Sequence, residues 1–298
     1  METHFLGQTD LEVSLLGVGG SELQRVSASE GERIIRAAMD VGVNVIDTAE
    51  CYGESETIIG QALSGLRDDI FLFSKCGHAA GLPYTDWDAH LFAESIERSL
   101  LRLQTEYLDL IHLHSCPIEV LQRGDVMLAL EKVRQEGKVR YIGYSGNNEA
   151  ARYAAHMGIF DTVQFSVNLA DQQEIERLLP LLRDQLIGGI AKRPLANVAW
   201  RQGLDQPPED PYHYVYWKRL QALNYDFLAQ GLEYSVEVAL RFTLSIPNIQ
   251  LTIVGTSQPE RWKKLAEIVQ RGPLPHVIYE AIRRHWQSTA LPHWIAQV

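Results

Sequence analysis

The chain has 298 residues, of which 46% are hydrophobic and 22% charged, and its formal net charge is −11. This acidic balance argues against nucleic acid as the main partner, because phosphate binding needs a basic surface. No apolar run approaches membrane-spanning length, the first residues METHFLGQTD are polar, and three cysteines without scaffold spacing fit a reducing compartment. We therefore expect a cytoplasmic protein with no membrane partner.

The chain shows no internal boundary. No Gly/Ser linker, charge block or low-complexity run divides it, and its most polar stretch, RQGLDQPPEDPY at 201–212, is short enough to be a loop. The length suits a single α/β barrel. We therefore expect one domain over residues 1–298.

Short apolar runs alternate with amphipathic helical patterns along the whole chain. The runs are rich in Val, Ile, Leu and Phe, which is typical of strands that are buried on both faces. The predicted strands are 14–18, 43–46, 70–74, 108–113, 139–144, 162–165, 186–191 and 251–254. Eight strands followed by helices predict a (β/α)8 TIM barrel, and a short hairpin from His4 to Glu12 is expected before it.

The predicted helices have recognisable ends. Ser29 and Glu32 have capping-box spacing before an apolar run at 34–39, and Gly42 follows in the position of a helix-ending glycine. The remaining helical patterns cover 88–103, 118–135 between Pro117 and Gly137, 172–182, 214–243 with an interruption near Gly231, and 259–269. A C-terminal helix or tail is expected to end the chain.

An open doubly wound sheet is the alternative fold. Such a fold usually carries G-x-G-x-x-G after its first strand, and here residues 17–22 read GVGGSE, which is incomplete. The strand count and the incomplete motif together favour the barrel.

Polar side chains follow several of the predicted strands, where active sites of such barrels lie. Asp47 follows the second strand with Tyr52 in the loop beyond it, Lys75 follows the third and His114 the fourth. A tyrosine is a poor acid, with an ordinary pKa of about 10, and a nearby ammonium lowers that value. Lys75 can supply the ammonium, and Asp47 can keep it charged and in place. His114 can bond a carbonyl oxygen or share the proton transfer, so the four residues form a consistent general-acid site.

These residues lie in segments that resemble the catalytic segments of aldo-keto reductases. The three segments are VNVIDTAECYG, FLFSKCG and YLDLIHLHSCP. The resemblance covers nearly the whole chain, from FLGQTDLEVSLLGVGG through IGYSGNNE and QFSVNLAD to IVGTSQPER. It implies a barrel enzyme that reduces an aldehyde or ketone to an alcohol, or the reverse. The implied catalytic residues are Asp47, Tyr52, Lys75 and His114, with Tyr52 as the general acid.

The resemblance also implies a nicotinamide cofactor that lies extended across the barrel mouth. The implied cofactor-binding residues are Gly19, Gly20, Ser21, Asp47, Ser145, Gln164, Lys192, Arg193, Pro194, Leu195, Gly255, Thr256, Ser257 and Arg261. Ser145 and Gln164 would contact the nicotinamide amide. Arg261 would lie near the 2′-phosphate, and its planar fork favours NADP(H), with NAD(H) as the alternative.

Three positions depart from the family's pattern. Gly146 stands where an asparagine is common, Lys192 stands where an aromatic ring usually stacks on the nicotinamide, and Leu265 stands where an asparagine often holds the adenine. These changes leave the choice between NADP and NAD open, and they do not touch the four implied catalytic residues.

Two other functions fit parts of the sequence. His112 and His114 could form an H-x-H metal pair of a barrel hydrolase, because residues two apart on a strand face the same way. That site needs further ligands, and the later strand ends Ser145, Gln164 and Lys192 are poor ones, so a hydrogen-bonded core histidine is favoured for His112 and no metal is expected. A cofactor-binding regulatory protein is the second alternative, although the four retained residues favour catalysis.

Substrate choice should depend on the loops over the barrel mouth. The loops concerned are 78–87, 116–120 and 196–213, and Glu50 and Trp87 are candidates for the lining of the mouth. We expect a small-molecule carbonyl or alcohol as substrate, and a monomer by analogy with the family.

Overall fold

Eight parallel strands close into a barrel in the computed structural model, which describes residues 1–297. In chain order the strands are β1 (Thr3–Phe5), β2 (Glu12–Ser14), β3 (Leu16–Gly19), β4 (Val45–Asp47), β5 (Phe71–Cys76), β6 (Leu108–His114), β7 (Val139–Ser145), β8 (Thr162–Ser166), β9 (Gly188–Lys192) and β10 (Leu251–Val254). The barrel runs from β3 to β10, and β10 pairs with β3 to close it. The predicted (β/α)8 barrel is thus confirmed.

The remaining two strands form the predicted hairpin. β1 and β2 pair antiparallel, with Thr3 opposite Ser14. Leu6, Leu11 and Val13 of this hairpin pack against side chains of the barrel interior such as Phe73 and Leu110. The hairpin therefore fills the amino-terminal end of the barrel, which leaves the carboxyl end for a site.

Helices surround the barrel in the spaces between the strands. They are α1 (Ala28–Asp40), α2 (Ser55–Ala62), α3 (Leu91–Leu103), α4 (Ile118–Arg123), α5 (Asp125–Gln135), α6 (Asn148–His156), α7 (Glu174–Arg177), α8 (Leu179–Asp184), α9 (Pro211–Leu223), α10 (Leu232–Leu244), α11 (Arg261–Gln270) and α12 (His276–Thr289). Short 3-10 helices cover Gly20–Arg25, Arg67–Asp69, Ala196–Val198 and Asp226–Ala229. In the described part of the chain, no helix combines the length and the apolar character needed to cross a bilayer.

The start of α1 differs from the prediction. The capping box is formed by Ser27 and Glu30, since the Ser27 hydroxyl accepts from the Glu30 amide and the Glu30 carboxylate accepts from the Ser27 amide. The predicted pair, Ser29 and Glu32, was wrong by two residues because α1 begins at Ala28, with Ser27 as its N-cap, soon after the 3-10 helix that ends at Arg25. The helix does end as predicted, with Gly42 at a φ of 86°.

Two predicted helices are each divided into shorter ones. The helix expected over 118–135 breaks at Gly124, whose φ of 79° lies in the left-handed region that a helix interior cannot use. The pattern over 172–182 divides into α7 and α8, with Pro180 in the first turn of α8, where a missing N–H costs nothing. Within 214–243 the interruption at Gly231 is confirmed, and a second break occurs at Asn224.

Candidate active site

The polar residues expected at the strand ends meet at the carboxyl end of the barrel. Register pairs place Asp47 beside Gly19, Lys75 beside His112, and His114 beside Ser145 along neighbouring strands. Because the strands are parallel, their carboxyl ends share one rim, and side chains from six consecutive strands, β4 to β9, can reach a common space.

Lys75 and Asp47 form a buried ion pair at this rim. The Lys75 Nζ donates to the Asp47 Oδ2 at 2.6 Å and to the Thr48 carbonyl at 2.7 Å, and the lysine is only 2% exposed. Burial is the largest influence and lowers the pKa of Lys75, but Asp47, together with Tyr52 and Cys51, outweighs it and leaves the pKa raised. The lysine is therefore a fixed ammonium ion.

Tyr52 lies over this ammonium. The Lys75 Nζ is 5.3 Å from the centre of the Tyr52 ring, and no residue among 1–297 forms a hydrogen bond with the Tyr52 hydroxyl. Burial raises the pKa of Tyr52 and the Lys75 ammonium lowers it, with a net rise. The expected net lowering of the phenol pKa was wrong, because burial outweighs the ammonium.

His114 completes the group beside Tyr52, with the two rings edge to face and their centroids 5.7 Å apart. Burial, followed by Lys75 and Lys192, holds the pKa of His114 well below its ordinary value, so the ring is neutral. Its Nδ1 lies 3.5 Å from the Cys51 Sγ, and burial raises the pKa of that thiol to about 11. The thiol can donate to Nδ1, which leaves the ring proton on Nε2 as a donor.

A second polar patch lies on the neighbouring strands β7, β8 and β9. The Ser145 hydroxyl donates to the Gln164 Oε1 at 2.8 Å, and the Lys192 Nζ lies 3.5 Å from the same hydroxyl. The Gln164 Nε2 is buried and has no acceptor among residues 1–297. A buried amide with a free donor suits a ligand that brings its own oxygen, such as a carboxamide.

Two of the departures from the family pattern have structural causes. A Cβ at Gly146 would lie 2.5 Å from the Tyr144 hydroxyl, which donates to the Cys116 carbonyl, so a side chain there would displace the buried ring. Leu265 is 5% exposed and packs in the main hydrophobic cluster on α11. Lys192 is half-buried, and burial together with Arg193 and Lys75 lowers its pKa well below the ordinary value.

Arg193 binds the C-terminal segment of the chain. Its guanidinium donates to the Ser166 hydroxyl at 3.0 Å and to the Gln297 carbonyl. Asn147 donates to that same carbonyl at 2.7 Å, so two elements of the mouth hold the end of the chain. Pro194 packs nearby, and its carbonyl accepts from the Thr243 hydroxyl of α10 at 3.1 Å. Leu195 packs against the main cluster. A contact between these three residues and a cofactor stays a prediction.

The glycines of the first loop lie close to the loop after β10. A Cβ at Gly19 would be 3.3 Å from the Gly255 amide nitrogen, and one at Gly20 would be 2.8 Å from the Ser55 Oγ. Ser21 lies across from Gly255, and the adjoining loop turns where the Thr256 hydroxyl accepts from the Gln258 amide. Ser257 is exposed beside it. Gly19 and Gly20 are both buried, and this packing leaves no room for a side chain at Gly20 and little at Gly19.

Arg261 begins α11 directly after this loop. Burial and the nearby Arg201 lower its pKa, and neither arginine forms a salt bridge within residues 1–297. Sequence reasoning missed Arg201, because it lies in a polar loop about sixty positions from Arg261. Although the Glu260 carboxylate also acts on Arg261, the two neighbouring guanidinium groups form no salt bridge and can bind an anion.

His112 lies deeper in the barrel than the rim residues. It is fully buried, its Nε2 lies 3.1 Å from the Thr162 Oγ1, and burial holds its pKa well below the ordinary value. Among residues 1–297, no three His, Cys, Asp or Glu side chains are grouped as ligands for a metal ion. His112 is thus the hydrogen-bonded core histidine that the sequence favours.

Glu50 and Trp87 are buried rather than open to the mouth. The Glu50 carboxyl accepts from the His78 amide and the Ser95 hydroxyl, each at 2.9 Å, and burial raises its pKa to about 8. The Trp87 ring packs over Gly77, where a Cβ would overlap it. His78, within the loop 78–87 expected to govern substrate choice, contacts the His114 ring instead. The sequence does not single it out, because no motif marks this contact.

Comparisons with known proteins agree with this geometry. The model of the Aldo/keto reductase family matches residues 15–287. L-galactose dehydrogenase of Arabidopsis thaliana is 31% identical over 279 residues, covering 86% of this chain and 84% of its own, and the oxidoreductase YqkF of Bacillus subtilis is 29% identical with 96% of each chain covered. A solved aldo-keto reductase from Bacillus halodurans, in its holo form, superposes with a TM-score of 0.83 at 25% identity over 99% of each chain.

Proposed function

The chain belongs to the aldo-keto reductase family, and from this membership we propose that it reduces an aldehyde or ketone to an alcohol, or catalyses the reverse reaction, with a nicotinamide nucleotide. The observation that carries the proposal is that the Tyr52 ring, whose hydroxyl has no hydrogen-bond partner among residues 1–297, lies beside both the Lys75 ammonium and the neutral His114 ring. This is the set of groups that a carbonyl oxygen needs when it gains a proton.

Each side chain has a separate part in the proposed mechanism. The nicotinamide supplies the hydride when it is bound. The His114 Nε2–H donates to the carbonyl oxygen and orients it, and the Tyr52 hydroxyl gives that oxygen its proton. The Lys75 ammonium, held by Asp47, then stabilises the phenolate that remains. Because burial keeps Tyr52 protonated beforehand, the ammonium acts mainly as the proton leaves.

The cofactor fits the second patch and the two loops beside it. The free Gln164 Nε2 and the Ser145 hydroxyl would bind the nicotinamide carboxamide, and Lys192 would lie near the ring. Gly19, Gly20 and Ser21 would meet the backbone of the nucleotide, as would Gly255, Thr256 and Ser257. Arg261, with Arg201, would bind the 2′-phosphate, so NADP(H) is favoured over NAD(H). The holo form of the Bacillus halodurans neighbour supports a bound cofactor.

The substrate is proposed to be a small carbonyl compound or alcohol. The relative named L-galactose dehydrogenase supports alcohol and carbonyl chemistry on a small polar molecule. A site at the carboxyl end of a barrel is a concave position that suits a small molecule.

The test is a fluorescence titration of the protein with NADPH and with NADH, followed by addition of a reactive aldehyde while nicotinamide absorbance is recorded. Binding followed by oxidation of the nucleotide supports the reductase. Binding without oxidation across several aldehydes and ketones supports a cofactor-binding regulatory protein, and binding of neither nucleotide contradicts both.

A further inference from the structure

A second imidazole lies at the barrel mouth beside the proposed active site. The ring centroids of His78 and His114 are 5.3 Å apart, with the rings edge to face, and the His78 ring also contacts Trp87 at 5.5 Å. The His78 side chain is 32% exposed, so part of its ring is accessible to a ligand. The mechanism described above makes no use of it.

The position of this imidazole is fixed from three directions. Its Nδ1 lies 2.8 Å from the Asp86 Oδ2, and the other oxygen of Asp86 accepts from the Ala79 amide at 2.8 Å. The His78 amide donates to the buried Glu50 carboxyl at 2.9 Å. A carboxylate behind one ring nitrogen sets the orientation of the ring.

The Trp87 ring packs edge to face against the His78 ring. The Trp87 φ of 67° is uncommon for a bulky residue. A hydrogen bond from the Trp87 amide to the Gly77 carbonyl, at 2.9 Å, holds the backbone in this conformation. The Arg123 guanidinium donates to the Trp87 carbonyl at 2.9 Å. A backbone held in this conformation by several contacts is typical of a constrained functional loop.

The remaining nitrogen of the ring, Nε2, is available to a ligand. It has no hydrogen-bond partner among residues 1–297, whereas Nδ1 is occupied by Asp86. A ring whose Nδ1–H points at a carboxylate presents a lone pair at Nε2, and a protonated ring presents an N–H. A hydroxyl group can both donate and accept, so it satisfies either form.

We propose that His78, positioned by Asp86, recognises a hydroxyl group on the carbon next to the reacting carbonyl, and so selects 2-hydroxy aldehydes and ketones as substrates. This inference rests on the proposed function, since it assumes that His114 holds the carbonyl oxygen. With the carbonyl oxygen at His114, the adjacent imidazole meets the substituent on the neighbouring carbon. An alkyl group on that carbon could not form a hydrogen bond with the His78 Nε2 and would leave this nitrogen unpaired.

The experiment compares two aldehydes of equal size, glycolaldehyde and propanal, which differ by a hydroxyl in place of a methyl group. The ratio of kcat/KM for glycolaldehyde to that for propanal is measured in the wild-type enzyme, His78→Leu, His78→Gln, Asp86→Asn and His90→Leu. Hydration of each aldehyde is the same for every variant and cancels when the ratios are compared.

The wild-type enzyme is expected to prefer glycolaldehyde, and His78→Leu to lower the ratio by about 10- to 100-fold, the range for one lost hydrogen bond in a substrate site. Asp86→Asn should lower it less and mainly through KM for glycolaldehyde. His78→Gln, which keeps a polar group, should restore part of the preference. His90 is exposed and makes no cap bond at α3, so His90→Leu should leave the ratio unchanged.

An equal loss for both aldehydes in His78→Leu, or an unchanged ratio, would overturn the assignment of His78. So would a wild-type enzyme that reduces propanal as efficiently as glycolaldehyde. If the wild-type protein reduces other aldehydes or ketones but neither of these two, the assignment of His78 is overturned and the proposed function stands. If it reduces no aldehyde or ketone, both fail. Circular dichroism and melting temperatures of the variants separate misfolding from a change of preference.

Discussion

The charge on Lys75 influences a second residue, Tyr52. Its ammonium is neutralised by Asp47 at 2.6 Å, yet it lies 5.3 Å from the Tyr52 ring and opposes the rise in the phenol pKa. The residue types at the strand ends were enough to predict that Asp47, Tyr52 and Lys75 lie close together. The direction of the Tyr52 pKa could not be predicted, because it depends on how deeply the loop after β4 buries the phenol.

Replacement of Lys75 by methionine should raise the pKa of Tyr52 further, because the nearest cation is removed while the Asp47 charge stays. A phenol donates only while it is protonated, so reduction is lost as pH rises through its pKa. The alkaline limb of the kcat profile for reduction should therefore move to higher pH, with a large fall in kcat.

Loss of the ion pair complicates this substitution. An unpaired buried carboxylate costs about 3–5 kcal/mol of stability, so the double variant Lys75→Met with Asp47→Asn serves as the control that removes both charges. The fall in kcat should persist in the double variant. If the alkaline limb keeps its wild-type position in Lys75→Met, the ammonium does not tune Tyr52.

Arg261 and Arg201 are expected to discriminate between the two nucleotides. Arg261→Ala should weaken NADPH binding by about tenfold, which corresponds to one charge-assisted bond of roughly 1.4 kcal/mol. NADH, which lacks the 2′-phosphate, should bind almost as before. Fluorescence titrations measure both, with Arg284→Ala on the exposed side of α12 as the matched control. Equal losses for the two nucleotides would remove Arg261 from the phosphate site.

Among the elements, strands were easier to predict than helix ends. Strands buried on both faces are continuous apolar runs, and all eight barrel strands overlap the runs predicted for them. Helix starts depend on single hydrogen bonds, and both Ser27 with Glu30 and Ser29 with Glu32 have capping-box spacing. Gly124 lies within a helical pattern, and its left-handed φ depends on where the chain must turn between α4 and α5.

The capping box gives a prediction with an internal control. Ser27→Ala should lower the free energy of unfolding by about 1 kcal/mol, the usual cost of a lost N-cap. Ser29→Ala, two positions on, should change it by less than about 0.5 kcal/mol because Ser29 caps nothing. Urea denaturation of both variants measures the difference. A larger effect at Ser29 would place the start of α1 where the sequence alone predicted it.

For the whole molecule, contacts between distant parts of the chain were the least predictable feature. The C-terminal segment reaches the mouth through bonds from Asn147 and Arg193 to Gln297, across more than one hundred positions. His78 meets His114 in the same way. In both contacts the partners are far apart in the sequence and are brought together by closure of the barrel. Periodicity and short motifs therefore cannot predict them.

Stability of the whole molecule should depend on the buried Glu50. Burial raises its pKa from 4.5 to about 8, so between these values the folded protein keeps a proton that the unfolded chain has lost. Stability therefore falls as pH rises through this window, by about 2 kcal/mol between pH 6.5 and 8. His112 and His114, whose pKa values are lowered, act in the opposite direction below about pH 6.5.

Comparison with Glu50→Gln isolates this carboxyl from the other groups. The glutamine keeps an acceptor for the His78 amide and cannot ionise, so its melting temperature should fall less than that of the wild-type protein between pH 6.5 and 8.5. Parallel curves for the two proteins would mean that Glu50 is ionised throughout.

The most direct test of Tyr52 as the proton donor is the oxidation of NADPH by an aldehyde in wild-type protein and in Tyr52→Phe. The substitution removes one hydroxyl that has no hydrogen-bond partner among residues 1–297, so folding and nucleotide affinity should stay close to wild type. Turnover should fall by at least about a hundredfold, the usual contribution of a positioned general acid. Unchanged turnover in Tyr52→Phe, with nucleotide binding intact, would contradict the proposed role of Tyr52 as the proton donor.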